Sequence, residues 1–226
     1  MIKNYQSIKK FNAPKGVILD FGGVISRTLF ETHELTEAAL NLPKGSLNWL
    51  GPFDPSSDSL WQAMQSDQIS ERDYWKERTK EVAALVGANW VQMSDFVKAA
   101  RGSEPLEIIR PEAIMAIEHW KNNNVRLAIL SNELDLFYGE KFRGKLPFLD
   151  FFDVIQDATY TKILKPDPRA YISCLNDLDL QPQDCLFIDD QFRNIIGAQK
   201  VGLNTIHFDV LNPKDSFSTA LKLSKL

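Results

Sequence analysis

The sequence predicts an α/β fold, a doubly wound parallel sheet interrupted by one helical insert. Three observations point there. Five short apolar runs are spaced along the 226 residues and read as buried strands. Helical patterns fall between them, and strands alternating with helices favour a parallel sheet with helices on both faces. One stretch, from about Thr28 to Glu107, breaks that alternation and holds helical segments without a convincing strand.

The first run is Gly16-Val17-Ile18-Leu19-Asp20, followed at once by Phe21-Gly22-Gly23-Val24. A strand there delivers one carboxylate to its tip. The glycine pair then lets the backbone turn sharply and approach a ligand closely. The later runs are Val125 to Leu130, Phe151 to Ile155, Cys185 to Asp189 and Asn204 to Phe208. Helices are expected over Pro111 to Lys121, Leu134 to Arg143, Pro168 to Leu178 and Asn194 to Val201, with an amphipathic final helix from Asp215 to Leu226. Pro111 and Pro168 sit where a first turn tolerates proline, and Gly202 sits where a helix should stop.

Inside the insert, helices are expected over Ser59 to Gln65, Ser70 to Leu85 and Met93 to Ala100. Ser70 and Asp73 have the spacing of a capping box. Trp49, Trp61 and Trp75, with Phe53 and Tyr74, suit a small helical core, from which one or two residues could line a substrate cavity. An insert placed right after the first strand sits over the C-terminal edge of the sheet, where ligands bind. The expected division is therefore residues 1–27 and 108–226 as the α/β core and residues 28–107 as a cap, hinged near Thr28 and Gly102.

Composition narrows the class. The chain is 44% hydrophobic and 25% charged, ordinary for a soluble globular protein, and its net charge of −4 gives no support for nucleic-acid binding. The two cysteines, Cys174 and Cys185, have no metal-ligand spacing; they read as core thiols in a reducing compartment. Met1 to Lys15 lacks the apolar stretch of a signal peptide, and no run approaches membrane-spanning length, so a cytoplasmic location is expected. The terminal Ser224-Lys225-Leu226 reads as a peroxisomal address only in a eukaryote. His119 and His207 read as structural.

Four polar features fall at strand ends or helix starts: Asp20, Ser131-Asn132, Lys165-Pro166-Asp167-Pro168, and Asp189-Asp190 followed by Asn194. In a parallel sheet all strand C-termini lie on one edge, so these groups can converge. Asp20, Asp189 and Asp190 supply hard oxygen ligands suited to Mg2+. Crowded carboxylates repel unless a cation sits among them. Ser131 and Lys165 offer a hydroxyl and an ammonium that fit phosphate oxygens.

The order Asp-Phe-Gly-Gly-Val, Ser-Asn, Lys-Pro-Asp-Pro and Ile-Asp-Asp-x-x-x-Asn-x-x-x-Ala-x-x-x-Gly resembles the haloacid dehalogenase-like hydrolase superfamily, from Gly16 to Phe208. The resemblance implies a Rossmann-like core, and the insert resembles the C1 cap of subfamily I. It implies that Asp20 is a nucleophile forming an aspartyl-phosphate and also a Mg2+ ligand, and that Gly22 gives the metal its backbone carbonyl. Ser131 would hold a phosphoryl oxygen with Asn132 and Gly23 beside it, and Lys165 would neutralise charge on Asp20 and the phosphoryl group. Asp190 would be the main acidic metal ligand, Asp189 a second ligand or its supporting partner, and Asn194 would orient the pair. The implied partner is a small phosphorylated metabolite, bound by a monomer or homodimer.

The chain departs from the pattern at Gly22. In the family's phosphatases an aspartate here protonates the leaving oxygen and then activates water. General acid–base help is worth about 10²–10⁴-fold in rate. Three readings follow. A Mg2+-dependent phosphatase would need a good leaving group, such as an acyl or sugar 1-phosphate, or another acid such as Glu31 or His33. A 2-haloacid dehalogenase-type enzyme needs neither metal nor acid, with Arg27 available for a substrate carboxylate; the paired Asp189-Asp190 departs from that pattern. A non-catalytic binding protein would have no chemical need for Asp20, Ser131, Lys165 and Asp190 together. A mutase is disfavoured, because it needs the missing aspartate.

Overall fold

The structure is a computed structural model, and it describes residues 13–224 except 67, 101–104, 133 and 139. Gly102, Lys225 and Leu226 of the terminal tripeptide, and most of the segment before Lys15 lie outside the described residues. Five parallel strands form one sheet: β1 (Gly16–Leu19), β2 (Arg126–Ser131), β3 (Val154–Asp157), β4 (Cys185–Asp189) and β5 (Asn204–His207), in the order β3-β2-β1-β4-β5. β1 is central: Leu19 is paired with Ile129 on one side and Ile188 on the other. Asp20 and Asp189, each the next residue, and Ser131, two beyond Ile129, therefore share one edge.

The insert contributes α1 (His33–Ala39), α2 (Ser59–Gln65), α3 (Glu71–Val86) and α4 (Met93–Ala100). The rest of the chain adds α5 (Pro111–Asn122), α6 (Leu134–Tyr138), α7 (Ala158–Thr161), α8 (Pro168–Leu178), α9 (Phe192–Val201) and α10 (Pro213–Ser224). The sheet is buried on both faces because successive strand side chains point to opposite sides. Val17, Leu19, Leu127 and Ile129 pack with Trp120 of α5 and Phe217 of α10. Ile18, Ala128, Leu130 and Phe187 pack with Tyr171 of α8 and Ile195 of α9.

The insert has its own apolar cluster, in which Phe30, Trp49, Tyr74 and Phe96 are buried and Trp61 and Trp75 pack against them. Phe53, expected there, is instead exposed in a short turn after Pro52. The Ser70–Asp73 capping box forms as expected and starts α3. Asp58 caps α2 through Trp61 N (2.8 Å). Its fully buried carboxylate also accepts from Tyr74 Oη (2.7 Å) and Arg78 Nη2 (2.5 Å), so α2 and α3 are tied to one charge. The two passes of chain between sheet and insert run antiparallel: Ser26 bridges Ile109, Arg27 N donates to Ile108 O (2.6 Å) and Arg110 N to Ile25 O (3.0 Å).

Three elements differ from the sequence reading. The Phe151 to Ile155 run is split: Pro147–Phe151 is a tight turn of 3-10 helix, and β3 begins only at Val154. Apolar character there marks burial against the sheet, not strand backbone. The expected Leu134 to Arg143 helix stops at Tyr138 and continues as a 3-10 turn, Glu140–Lys145. This turn brings Arg143 back to Asp135 (2.7 Å) and Asp157 (3.2 Å), and Asp157 also accepts Leu134 N (3.2 Å) and Asp135 N (2.7 Å). The short α7, unmarked by any apolar period, is started by the same Asp157, which accepts Thr159 N (2.9 Å). Among the described residues, no helix is long and apolar enough to cross a membrane.

One packing contact joins fold to site. Gly197 of α9 lies under Pro166: a Cβ there would stand 2.7 Å from Pro166 Cβ, 2.9 Å from Pro166 O and 2.9 Å from Tyr171 Oη. Gly197→Ala is expected to destabilise the protein by about 1–3 kcal/mol, the usual cost of overpacking. Urea unfolding would measure it; an unchanged midpoint would show that the Lys165-Pro166 turn is free to shift.

Candidate active site

Each strand of the central trio presents a polar group at its C-terminal tip. Asp20 follows β1 and accepts a hydrogen bond from Phe21 N at Oδ1 (2.8 Å). Lys165 Nζ lies 2.9 Å from that same oxygen and donates to Asp189 Oδ2 at 2.7 Å. Both Lys165 and Asp189 are buried. Asp189 is held by three further hydrogen bonds, from Gln191 N (2.8 Å) and from Asn194 Nδ2 to both carboxylate oxygens (3.1 Å each). Asp190 accepts from Gln191 Nε2 (3.2 Å), and its carbonyl is bonded by His207 Nε2 (2.9 Å), so His207 braces this loop. One oxygen from each of Asp20, Asp189 and Asp190 lies within 4.8 Å of the others.

Lys165 reaches the cluster because its backbone is clamped. Asn132 Oδ1 accepts from Lys165 N (2.7 Å), and Asn132 Nδ2 donates to Lys165 O (3.2 Å). The Asn132 amide is thus engaged at both ends with the lysine backbone. Ser131 is buried at the cavity wall, with Asp20, Asn132 and Lys165 on the same wall.

The turn after Asp20 treats its glycines differently. Gly23 has φ +80, and a Cβ there would stand 2.7 Å from Asp190 Oδ2, so conformation and space both require glycine. Gly22 has φ −70 and ψ 126, open to any residue, and a Cβ there would meet nothing within 4 Å.

Charge is unbalanced here. Burial and the neighbouring Asp189 outweigh the Lys165 ammonium and push the Asp20 carboxyl up to about 7. Burial, and then the charges of Asp189 and Asp20, raise Asp190 well above the carboxylate range. Lys165 is buried, which alone would lower its value, yet its two carboxylate partners raise it and keep it charged. Three hard oxygen donors with a surplus of negative charge form a donor set that fits Mg2+.

The sequence reading missed Arg110, which joins the turn to the insert. Its guanidinium donates to Gly23 O from Nε (3.2 Å) and Nη2 (3.1 Å), and to Glu31 from Nη1 (2.7 Å) and Nη2 (2.6 Å). An arginine before a helix-starting proline carries no motif signal. Glu31 also accepts from Thr28 N (2.8 Å) and Thr28 Oγ1 (2.9 Å). It is a structural carboxylate outside the cavity lining. His33 is buried in the insert, 4.4 Å between ring centroids from Trp49, and also does not line the cavity. Neither is the acid sought in place of Gly22. Arg27 does line the cavity, which measures about 780 Å³ between sheet edge and insert.

Residues 14–202 match the haloacid dehalogenase-like hydrolase family. The chain is 29% identical over 198 residues to acyl-CoA dehydrogenase family member 10 of Mus musculus, covering 86% of this chain but only 18% of that longer protein. It is 25% identical to a sesquiterpene phosphatase of Aspergillus oryzae, across 94% of this chain and 96% of the relative. It is 26% identical to (S)-2-haloacid dehalogenase 1 of a Pseudomonas species, across 72% and 74%. Among solved structures, a hydrolase of the same superfamily from Ehrlichia chaffeensis shares the fold with a TM-score of 0.51 and 19% identity, over 94% of this chain and 98% of that one. With its parallel sheet, its tip carboxylates and these matches, the chain belongs to the haloacid dehalogenase-like hydrolase family and is a hydrolase.

Proposed function

We propose that the protein is a Mg2+-dependent phosphatase that cleaves a small phosphate monoester through an aspartyl-phosphate, with the insert as its cap over residues 28–107. The carrying observation is the meeting of Asp20, Asp189 and Asp190 beside one lysine at the cavity wall. Asp20, Asp190 and the Gly22 carbonyl would hold the ion, with Asp189 as a further ligand or support. Bound Mg2+ would offset the carboxylate charge and that of the incoming phosphate dianion.

In this reading Lys165 holds Asp20 in place and shares its charge. Ser131 and the backbone at Gly23 orient phosphoryl oxygens. Asp20 attacks phosphorus, the bond from phosphorus to the leaving oxygen breaks, and that oxygen departs with the electron pair. Water then cleaves the acyl phosphate, returning Asp20 and inorganic phosphate. With Gly22 in place of a carboxylate and Glu31 tied to Arg110, the favoured leaving groups are those stable without a proton: acyl, anomeric or aryl oxygens.

The 2-haloacid dehalogenase reading is second. The relative of that name and the missing acid favour it; the three-carboxylate cluster does not serve it, since halide displacement at carbon needs no cation.

Acetyl phosphate, glucose 1-phosphate and p-nitrophenyl phosphate are expected to be hydrolysed with Mg2+ and not with EDTA, and Asp20→Asn to abolish turnover. Halide release from 2-chloropropionate in EDTA, with all three phosphates inert, would replace this reading by the dehalogenase one.

The open space at Gly22 gives a second expectation. Gly22→Asp should fold normally and raise turnover of an alkyl phosphate such as glycerol 3-phosphate, by up to about 10²–10⁴-fold, while changing acetyl phosphate far less. An equal change on both substrates would rule out leaving-group protonation as the missing function.

Stability should also report the metal site. The folded Asp20 carboxyl titrates at about 7 against 3.8 in the unfolded chain, so the folded state holds more protons in between. Metal-free stability should therefore fall as pH rises across that window, with Asp190 adding to the trend. Mg2+ should restore it at the alkaline end. Urea midpoints that are flat with pH and indifferent to Mg2+ would speak against an ion at these carboxylates.

A further inference from the structure

The cavity is much larger than a phosphate needs. Its volume of about 780 Å³ falls in the range of about 300–1,000 Å³ that encloses drug-sized ligands. The catalytic carboxylates and Lys165 take one part of its wall. The insert supplies an apolar group to the wall, Leu29, Phe30, Trp61, Trp75 and Met93. Phe30 packs 5.2 Å from Trp61 and 5.3 Å from Trp75 between ring centroids, and both indoles remain partly exposed. Their partners inside the insert are thus in place while one surface of each is left to the cavity.

The insert also lines the cavity with Glu71, Arg72, Lys76, Gln92 and Ser94. Two lining hydroxyls are already engaged, Thr28 Oγ1 with Glu31 (2.9 Å) and Ser70 Oγ with Asp73 (2.6 Å). Burying a hydroxyl against these aromatic side chains without a partner is costly. Of the cationic side chains that line the cavity, Lys165 is paired with Asp20 and Asp189 and Arg193 with Glu71.

Building on the phosphatase reading, we propose that the substrate is a phosphate monoester with a large apolar body, which packs against Phe30, Trp61 and Trp75 while its phosphate reaches Asp20. Selection for this body comes from apolar burial, so it grows with apolar area rather than with hydroxyl count.

Aryl phosphates test this, because phenol, 2-naphthol and 4-phenylphenol are of similar acidity and differ mainly in size. From phenyl through 2-naphthyl to 4-biphenylyl phosphate, kcat/KM should rise by about tenfold to a hundredfold in total, at about 25 cal/mol per Å² of apolar area buried. Trp75→Ala should cut the biphenylyl-to-phenyl ratio by about tenfold, and Trp61→Ala should act in the same direction if the first variant folds poorly. Biphenylyl phosphonate, which cannot be hydrolysed, should bind the wild type more tightly than phenyl phosphonate by a similar factor. Hydrolysis of all three esters with a flat or falling ratio would overturn the inference and leave the phosphatase reading standing. No turnover of these esters or of acetyl phosphate would remove both.

Discussion

The structure is organised by a single buried ammonium shared between two carboxylates. Lys165 lies between Asp20 and Asp189, and Asp190 stands close by without a cation of its own. Burying such groups costs several kcal/mol per ion, so the arrangement is better understood as a device for position than as a source of stability. Asp189 is the fixed member: it is fully buried and saturated by Lys165, Gln191 N and Asn194. Asp20, with its single backbone donor, is the member that lies at the cavity wall, as the proposed nucleophile should. The surplus negative charge makes this edge of the sheet a place that favours a cation together with an anionic ligand.

Much of the fold serves to hold that lysine and the turn opposite it. Asn132 clamps the Lys165 backbone from the tip of β2, and Gly197 lets α9 close over Pro166. On the other side Arg110 binds the Gly23 carbonyl and Glu31 at once. It therefore links the turn after Asp20 to the first residues of the insert, at the point where the chain passes between the two layers.

The architecture was legible in the sequence because each layer left its own mark. Buried parallel strands read as apolar runs, and Pro111, Pro168 and Gly202 marked helix ends. The Ser70–Asp73 box located α3 to within a residue. The convergence of Asp20, Ser131 and Asp189-Asp190 followed from topology, since parallel strands place their tips together, whereas Lys165 is brought in from a loop by Asn132. What escaped was set by polar side chains acting at a distance. Asp157 and Arg143 remodel the expected helix after β2 into a helix and a turn, and no period along the chain encodes that. Glu31 had the right chemistry for an acid, but its partner Arg110 is 79 residues away, so its commitment could not be seen locally. Phe53 was apolar enough for the insert core and was left out by the turn it stands in.

Gly22 and Gly23 stand side by side with opposite standing. Gly23 is imposed by its backbone and by Asp190, whereas Gly22 is imposed by nothing around it. Every glycine codon becomes an aspartate or glutamate codon by one base change. The second carboxylate is thus a single mutational step away, at a position that has room and a permissive backbone for it. Its absence is a feature of the residue chosen and not of the fold, since a side chain can enter there without rebuilding anything around it.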